Sequence, residues 1–162
     1  MVDVPVIFSD TTPLIALSSI GRLDVLPMLF HRVCVVDAVV DECAAGGRIA
    51  VPDLTRLPWI DVVHATEPCL PGLLLSLDRG ERDTLDMARK MNAERVIIDE
   101  RIGRDMAELL GIPVVGTLGI LLKAKSLGAI SSFSQAVADM MAHGIYYHSG
   151  LVDELSRRAG EK

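Results

Sequence analysis

Asp10, Glu42, Glu81 and Asp99 are the residues of this 162-residue chain whose type and placement suit chemistry. Asp10 follows the apolar run Val4-Pro5-Val6-Ile7-Phe8, and Asp99 follows Arg95-Val96-Ile97-Ile98. Glu42 and Glu81 lie near the starts of two helical patterns. If the apolar runs are strands of an open parallel sheet, ligands collect outside their carboxyl ends. Carboxylates gathered there repel one another unless protons or a cation neutralise them, and hard divalent ions such as Mg²⁺ prefer oxygen ligands. The expectation is a metal-dependent acidic site.

Each position also has a plainer reading. Asp10, within Ser9-Asp10-Thr11-Thr12-Pro13-Leu14, is equally suited to capping a helix or to ligating a metal, with Ser9, Thr11 or Thr12 supplying hydroxyls. Glu42 sits one turn into its helix beside Asp41, where the helix dipole favours any acid. Glu81 and Asp83 open Gly80-Glu81-Arg82-Asp83-Thr84-Leu85 under the same dipole, although Gly80 permits close backbone approach. Asp99-Glu100-Arg101 ends one strand and begins a helix, so Asp99 could be a cap. Arg101 and Arg104, one turn apart, suit phosphate contact or structural ion pairs. Gly116-Thr117-Leu118-Gly119 lacks the third glycine and the lysine of a phosphate loop and reads as a turn with a cap.

The elements that must position these residues alternate. Val4–Phe8, Arg32–Val36, Trp59–His64, Arg95–Ile98 and Gly111–Gly116 read as five short strands. Helices are expected after Thr11-Thr12-Pro13, over Leu23–Leu29, over Ala38–Ala45 ended by Gly46-Gly47, and over Gly80–Met91 with Leu85, Ala88 and Met91 on one face. A helical turn is expected over Leu73–Leu77, and irregular chain over Pro52–Pro58. Further helices are expected over Ile102–Leu110, Leu118–Leu127, Ser131–Ala142 and Ser149–Ala159. Strands alternating with helices imply α/β architecture with a parallel sheet covered on its faces, in one domain spanning residues 1–162. The last helix carries a stripe of Leu151, Val152, Leu155 and Ala159, suited to packing on the domain or to an interface.

Bulk composition narrows the function classes. Half the residues are apolar, and the net charge of -6 argues against nucleic-acid binding by broad electrostatics alone, although a bound metal reverses the field locally. Cys34, Cys43 and Cys69 are odd in number and lack CxxC spacing, so neither a disulfide framework nor a zinc site is expected. The N-terminus has no basic region before its short apolar run, and no stretch approaches the roughly 20 apolar residues of a membrane span. A cytoplasmic protein without membrane partners is expected.

Four motifs in order carry a family resemblance. Val6-Ile7-Phe8-Ser9-Asp10-Thr11-Thr12-Pro13-Leu14 resembles the opening strand and Asp-Ser/Thr-x-x-Leu motif of PIN-domain (PilT N-terminus) proteins. Val36-Asp37-Ala38-Val39-Val40-Asp41-Glu42 is similar to that family's second, glutamate-bearing helix. The stretch from Leu77 to Ala88 is similar to the Gly-Glu-x-x-Ala helix of one subgroup, in which glutamate stands for the usual third aspartate. Asp99-Glu100-Arg101-x-x-Arg104 and Gly111–Gly119 resemble the same subgroup, so the likeness runs from about residue 4 to 160.

The resemblance implies a three-layer α/β/α fold around a mostly parallel sheet of about five strands, with an acidic Mg²⁺ or Mn²⁺ site. It implies a ribonuclease, commonly a VapC-like toxin of a toxin–antitoxin pair, acting as a homodimer and blocked by a small antitoxin protein. On this view Asp10, Glu42, Glu81 and Asp99 are the catalytic and metal-binding set, with Asp83 and Glu100 as further metal candidates. Ser9, Thr11, Thr12 and Arg104 position the RNA substrate or a water. Two departures stand out: Glu81 is longer than aspartate by one methylene, and the fourth acid is ambiguous between Asp99 and Glu100. A PIN-like domain that binds nucleic acid or protein without cutting is the alternative. A phosphotransferase of the haloacid dehalogenase class would need a second aspartate where Thr12 stands.

Overall fold

In the computed structural model, which describes residues 4–69, 72 and 75–161, five parallel strands form one sheet in the order β3-β2-β1-β4-β5. They are β1 (Ile7–Ser9), β2 (Val33–Val36), β3 (Ile60–Val63), β4 (Arg95–Ile97) and β5 (Val114–Val115). Every residue of β1 and β2 is buried, as expected of strands sandwiched between helical layers. The helices are α1 (Thr11–Ser19), α2 (Val25–Phe30), α3 (Asp37–Ala44), α4 (Arg79–Lys90), α5 (Arg101–Leu109), α6 (Thr117–Ser126), α7 (Phe133–Ala142) and α8 (Ser149–Arg158). This is the three-layer α/β/α architecture, with the sheet fully rather than mostly parallel. No described helix is long and apolar enough to cross a membrane.

The strands are shorter than the apolar runs that announce them, for local reasons. Pro5 has no amide hydrogen to offer a ladder, and β1 begins only at Ile7, one register step earlier marked by Glu94 N–H donating to the Val6 carbonyl. Pro113 likewise contributes only its carbonyl, to the Val96 amide, so β5 is reduced to Val114–Val115. Trp59 and His64 fall outside β3, and a short 3₁₀ turn at Leu54–Arg56, started by an Asp53 cap, interrupts the stretch expected to be irregular. Leu73 and Leu74 of the expected turn lie outside the described residues. Met91 does not share the buried face of α4: it follows the helix and is exposed, while Leu85 and Ala88 are fully buried.

The topology is what positions the site. The chain runs outward from β1 through β2 to β3, then returns past β1 to lay down β4 and β5. β1 and β4 are therefore neighbours from which the connections depart in opposite directions, the crevice where open α/β sheets bind ligands. The register pairs Ser9 with Ile97, and the Asp10 amide donates to the Ile97 carbonyl at 3.0 Å. Asp10 and Asp99 thus leave adjacent strand ends within two residues of register.

The carboxyl end of the chain is tied down by one side chain. Glu161 accepts hydrogen bonds from the Phe133 amide (2.6 Å), the Ser134 amide (3.0 Å) and the Ser132 and Ser134 hydroxyls (2.9 and 2.6 Å), with Lys125 Nζ at 3.4 Å. Partial burial pushes its carboxyl up, but these donors at the start of α7 outweigh it and hold the group down to about 2. Because the folded state lowers this group below its ordinary 4.5, its contribution is full above that pH and is lost as pH falls toward 2. Glu161→Ala strands the donors of α7. It is expected to cost about 2 kcal/mol and lower Tm by roughly 4–8 °C at pH 7. Thermal melts at pH 7 and pH 2.5 check this, since the difference must shrink in acid.

Candidate active site

Asp10 sits at the carboxyl end of β1 with only 3% of its surface exposed. It occupies the N-cap position of α1, yet its side chain makes no capping hydrogen bond to that helix. The side-chain capping bond open to this aspartate is not made in the structure. Burial raises its carboxyl to about 7; the Thr11 amide opposes the shift, and the charges of Glu81, Asp78 and Glu42 add to it. Among the described residues no lysine, arginine or histidine forms an ion pair with Asp10, Glu42 or Glu81. Protons or a cation would relieve the repulsion among these acids.

Glu42 and Asp41 separate into different roles. Asp41 is exposed and pairs with Arg79 at 3.6 Å. Glu42 accepts a 2.6 Å hydrogen bond from the Thr11 hydroxyl through Oε2, which binds α3 to the start of α1. Its carboxylate rests against Gly80: a Cβ built there would stand 2.5 Å from Oε1 and 3.1 Å from Oε2. Gly80 is required by this close approach rather than by a turn.

Glu81 enters from α4. Its amide is capped by the Asp78 carboxylate at 2.8 Å. Its own carboxyl is raised by burial first, then by the charges of Asp78 and Glu100, with Glu42 a smaller contributor. Asp78 is the acid that motif reasoning passed over, although Asp78-x-x-Glu81 has the spacing of a capping box and could have flagged it. Asp83 is buried but engaged by Arg82 at 3.2 Å and Arg79 at 3.9 Å, and it is not among the charges acting on Asp10.

Asp99 is arranged differently. It does not cap α5, whose N-cap is Glu100; instead it reaches across to α6, accepting from the Thr117 amide at 2.7 Å and the Thr117 hydroxyl at 2.6 Å. Gly116 makes room for it, since a Cβ there would stand 3.0 Å from Asp99 Oδ1 and 2.8 Å from Arg104 Nη1. Arg104 donates to the Ile98 carbonyl at 2.9 Å, bracing the end of β4. Asp99 therefore lies on the β5 side of the crevice, while Asp10, Glu42, Glu81 and Asp78 are electrostatically coupled, and exposed Glu100 reaches Glu81.

The hydroxyls also divide. Ser9 is fully buried and donates to the Asp10 carbonyl at 2.9 Å, so it braces backbone. Thr11 holds Glu42. Thr12 lines an open cleft of about 560 Å³ beside Asp99, Arg104 and Tyr147. A larger cavity, about 750 Å³, surrounds Ile7 and Arg95 at the opposite ends of β1 and β4, away from these acids.

The donor set suits a hard divalent cation, which favours oxygen ligands and relieves the mutual repulsion of buried carboxylates. Among the described residues no three of these side chains close on a common point as a finished cage.

No curated protein matches the chain. A family model, DUF3368, described as a PIN domain, matches residues 6–161, and with it come β1 through Glu161 and every acid described above. The chain belongs to the PIN-domain family.

Proposed function

We propose that this PIN domain is a metal-dependent ribonuclease that hydrolyses RNA phosphodiesters with Mg²⁺ or Mn²⁺, as the toxin of a toxin–antitoxin pair. The observation that carries the reading is the unpaired acid cluster at the β1/β4 crevice of a nuclease-type fold. Asp10, Glu42 and Glu81 would hold the cation, with Asp99 on the far side and Glu100 at the rim. When bound, the ion supplies an activated water and neutralises charge building on the attacked phosphate.

The chain's own residues do the positioning. Thr11 fixes Glu42, Asp78 orders the first turn of α4 that carries Glu81, and Ser9 holds the Asp10 backbone at the strand end. Thr117 and Gly116 fix Asp99, and Arg104 braces the strand end behind it. A small antitoxin covering the crevice, and homodimerisation, belong to the same proposal and rest on family membership.

Cleavage of a mixed RNA pool in Mn²⁺ tests it. Wild type should cut, chelator should stop the reaction, and Glu81→Gln should lose at least about 100-fold in rate. Undiminished cleavage by Glu81→Gln would remove Glu81 from the site. No cleavage by wild type, with no Mn²⁺ binding by calorimetry, would leave the non-cutting binding domain as the answer.

A further inference from the structure

At the starts of β1 and β4, away from the acids, a cavity of about 750 Å³ opens between the end of α2 and α6. Register explains its floor. Ile7 pairs with Arg95 and Val115 with Ile97, and directly paired residues of parallel strands turn their side chains to one face. Ile7, Arg95 and Val115 therefore share the face on which the cavity opens. From α6 and its C-cap come Gly119, Ile120, Lys123, Ser126 and Leu127, which recur at the three- and four-residue spacing of a single helix face. Lys123 stands in the middle of that face, where an apolar residue would continue the stripe.

The cavity is apolar inside and mostly cationic at its rim. Ile7 and Ile120 are buried, Leu29, Phe30, Val115 and Leu122 are half-buried, and His31, Arg95 and Lys123 are exposed. Glu94 is the one acid among the lining residues. Among the described residues, none of His31, Glu94, Arg95 and Lys123 forms an ion pair. The dipole of α6 accounts for Lys123, which lies in its last turn, but Arg95 opens a strand and has no such reason. His31 is placed at a cost. Its backbone stands at φ 64 and ψ -55, and the Arg32 amide donates across it to the Phe30 carbonyl at 2.7 Å. This is a γ-turn of the rare, strained hand, which glycine would adopt more easily; here it carries an imidazole to the cavity rim.

We propose that this cavity binds an amphipathic anion, an apolar chain ending in a carboxylate, with the chain along Ile7, Val115, Ile120 and Leu122 and the head at Arg95, Lys123 and His31. The volume is that of a small-molecule site. No polar side chain stands among the buried and half-buried lining residues, so a sugar or a base would leave its hydrogen-bonding groups unpaired there, whereas an alkyl chain loses nothing. Charge sets the sign of the head. In a chain of net charge -6, two cations without ion pairs border this apolar space against the single carboxylate of Glu94. A guanidinium takes a carboxylate through two parallel hydrogen bonds. The site stands apart from the nuclease reading, because cavity and acids lie at opposite ends of the same strands.

The test is calorimetric titration of the full chain with dodecanoate, below its micelle concentration and without divalent metal. One equivalent should bind with a Kd on the order of 100 μM. Dodecyltrimethylammonium, with the same tail and the opposite charge, and acetate, the head without the tail, should each bind at least about tenfold more weakly. Arg95→Ala combined with Lys123→Ala should weaken dodecanoate about tenfold. His31→Gly should weaken it about threefold without lowering Tm. Leu122→Trp, which fills the cavity, should abolish binding. Amide shifts in two-dimensional NMR spectra should gather on α6 and around His31 rather than near Asp10 and Asp99, a readout that stands even if Leu122→Trp fails to fold. No binding of dodecanoate, equal binding of the cationic surfactant, several equivalents bound, or shifts gathered elsewhere overturns the proposal. So does unchanged affinity in the double variant or in His31→Gly. A dimer in sedimentation that Leu122→Trp converts to monomer overturns it as well, because the cavity then belongs to a second copy. RNA cleavage enters none of these readouts, so the nuclease reading stands or falls separately.

Discussion

Asp10→Asn is expected to abolish Mn²⁺-dependent cleavage, by about 1,000-fold or more, while making the metal-free protein more stable at pH 8. The two effects share one cause. The Asp10 carboxyl, buried at the end of β1 and surrounded by Glu81, Asp78 and Glu42, is raised from 3.8 to about 7. Above pH 7 the folded protein must hold it ionised, whereas the unfolded chain ionises it freely. A shift of about three pH units corresponds to about 4 kcal/mol of destabilisation at most. The amide is close in shape and carries no charge, so it escapes that cost.

The sign follows from the linkage. Because folding raises this acid, wild type is penalised in full above about pH 7, progressively less as pH falls, and not at all below about 3.8. Asp10→Asn should therefore melt several degrees above wild type at pH 8, with the gap closing by pH 4. Mn²⁺ at about 100 times its Kd should narrow the gap at pH 8 by stabilising wild type about 2.7 kcal/mol and the variant much less. Melts at pH 4 and 8, with and without Mn²⁺, read all of this. Identical curves for the two proteins at pH 8 would mean that Asp10 carries no unbalanced charge.

Gly80→Ala is the second large effect, and it separates placement from stability. The new methyl would stand 2.5 Å from Glu42 Oε1, closer than non-bonded atoms tolerate, but what it meets is the end of a flexible side chain. The helix itself gains from alanine, by up to about 1 kcal/mol. The protein should fold with a Tm within a few degrees of wild type. Glu42, however, must leave its seat between Thr11 and α4. Displacing a positioned acid by about an ångström costs on the order of 100-fold in rate, and the loss should fall on kcat rather than KM. Unchanged kcat in Gly80→Ala would show that Glu42 is not needed where it sits.

Much of the architecture was legible because it rests on local rules. The apolar runs within Arg32–Val36 and Arg95–Ile98 read as strands buried on both faces, and Gly128 marks a helix end by chemistry that acts over a few residues. Strand limits at Pro5 and Pro113 were less legible, because whether a proline still counts within a run depends on which neighbour offers a donor. In the site, sequence could not part Asp41 from Glu42, or Asp99 from Glu100. Each is a neighbouring pair of acids with the same dipole preference, and only the partner across space distinguishes them: Arg79 for Asp41, Thr11 for Glu42, Thr117 for Asp99 and Glu81 for Glu100.

By itself the amino-acid order determined that strands and helices alternate, that acids follow the first and fourth strands, and that four motifs stand in PIN order, since hydrophobic period, capping and motif spacing are properties of the chain. Tertiary structure alone decided that β4 lies beside β1, so that acids 89 residues apart in Asp10 and Asp99 leave neighbouring strand ends. It also decided that Asp83 is spent on arginines, that Asp78 joins the cluster, and that Tyr146 faces water while Tyr147 turns inward. The physical reason is that charge balance and burial depend on distance through space, and distance through space is set only when the sheet order closes.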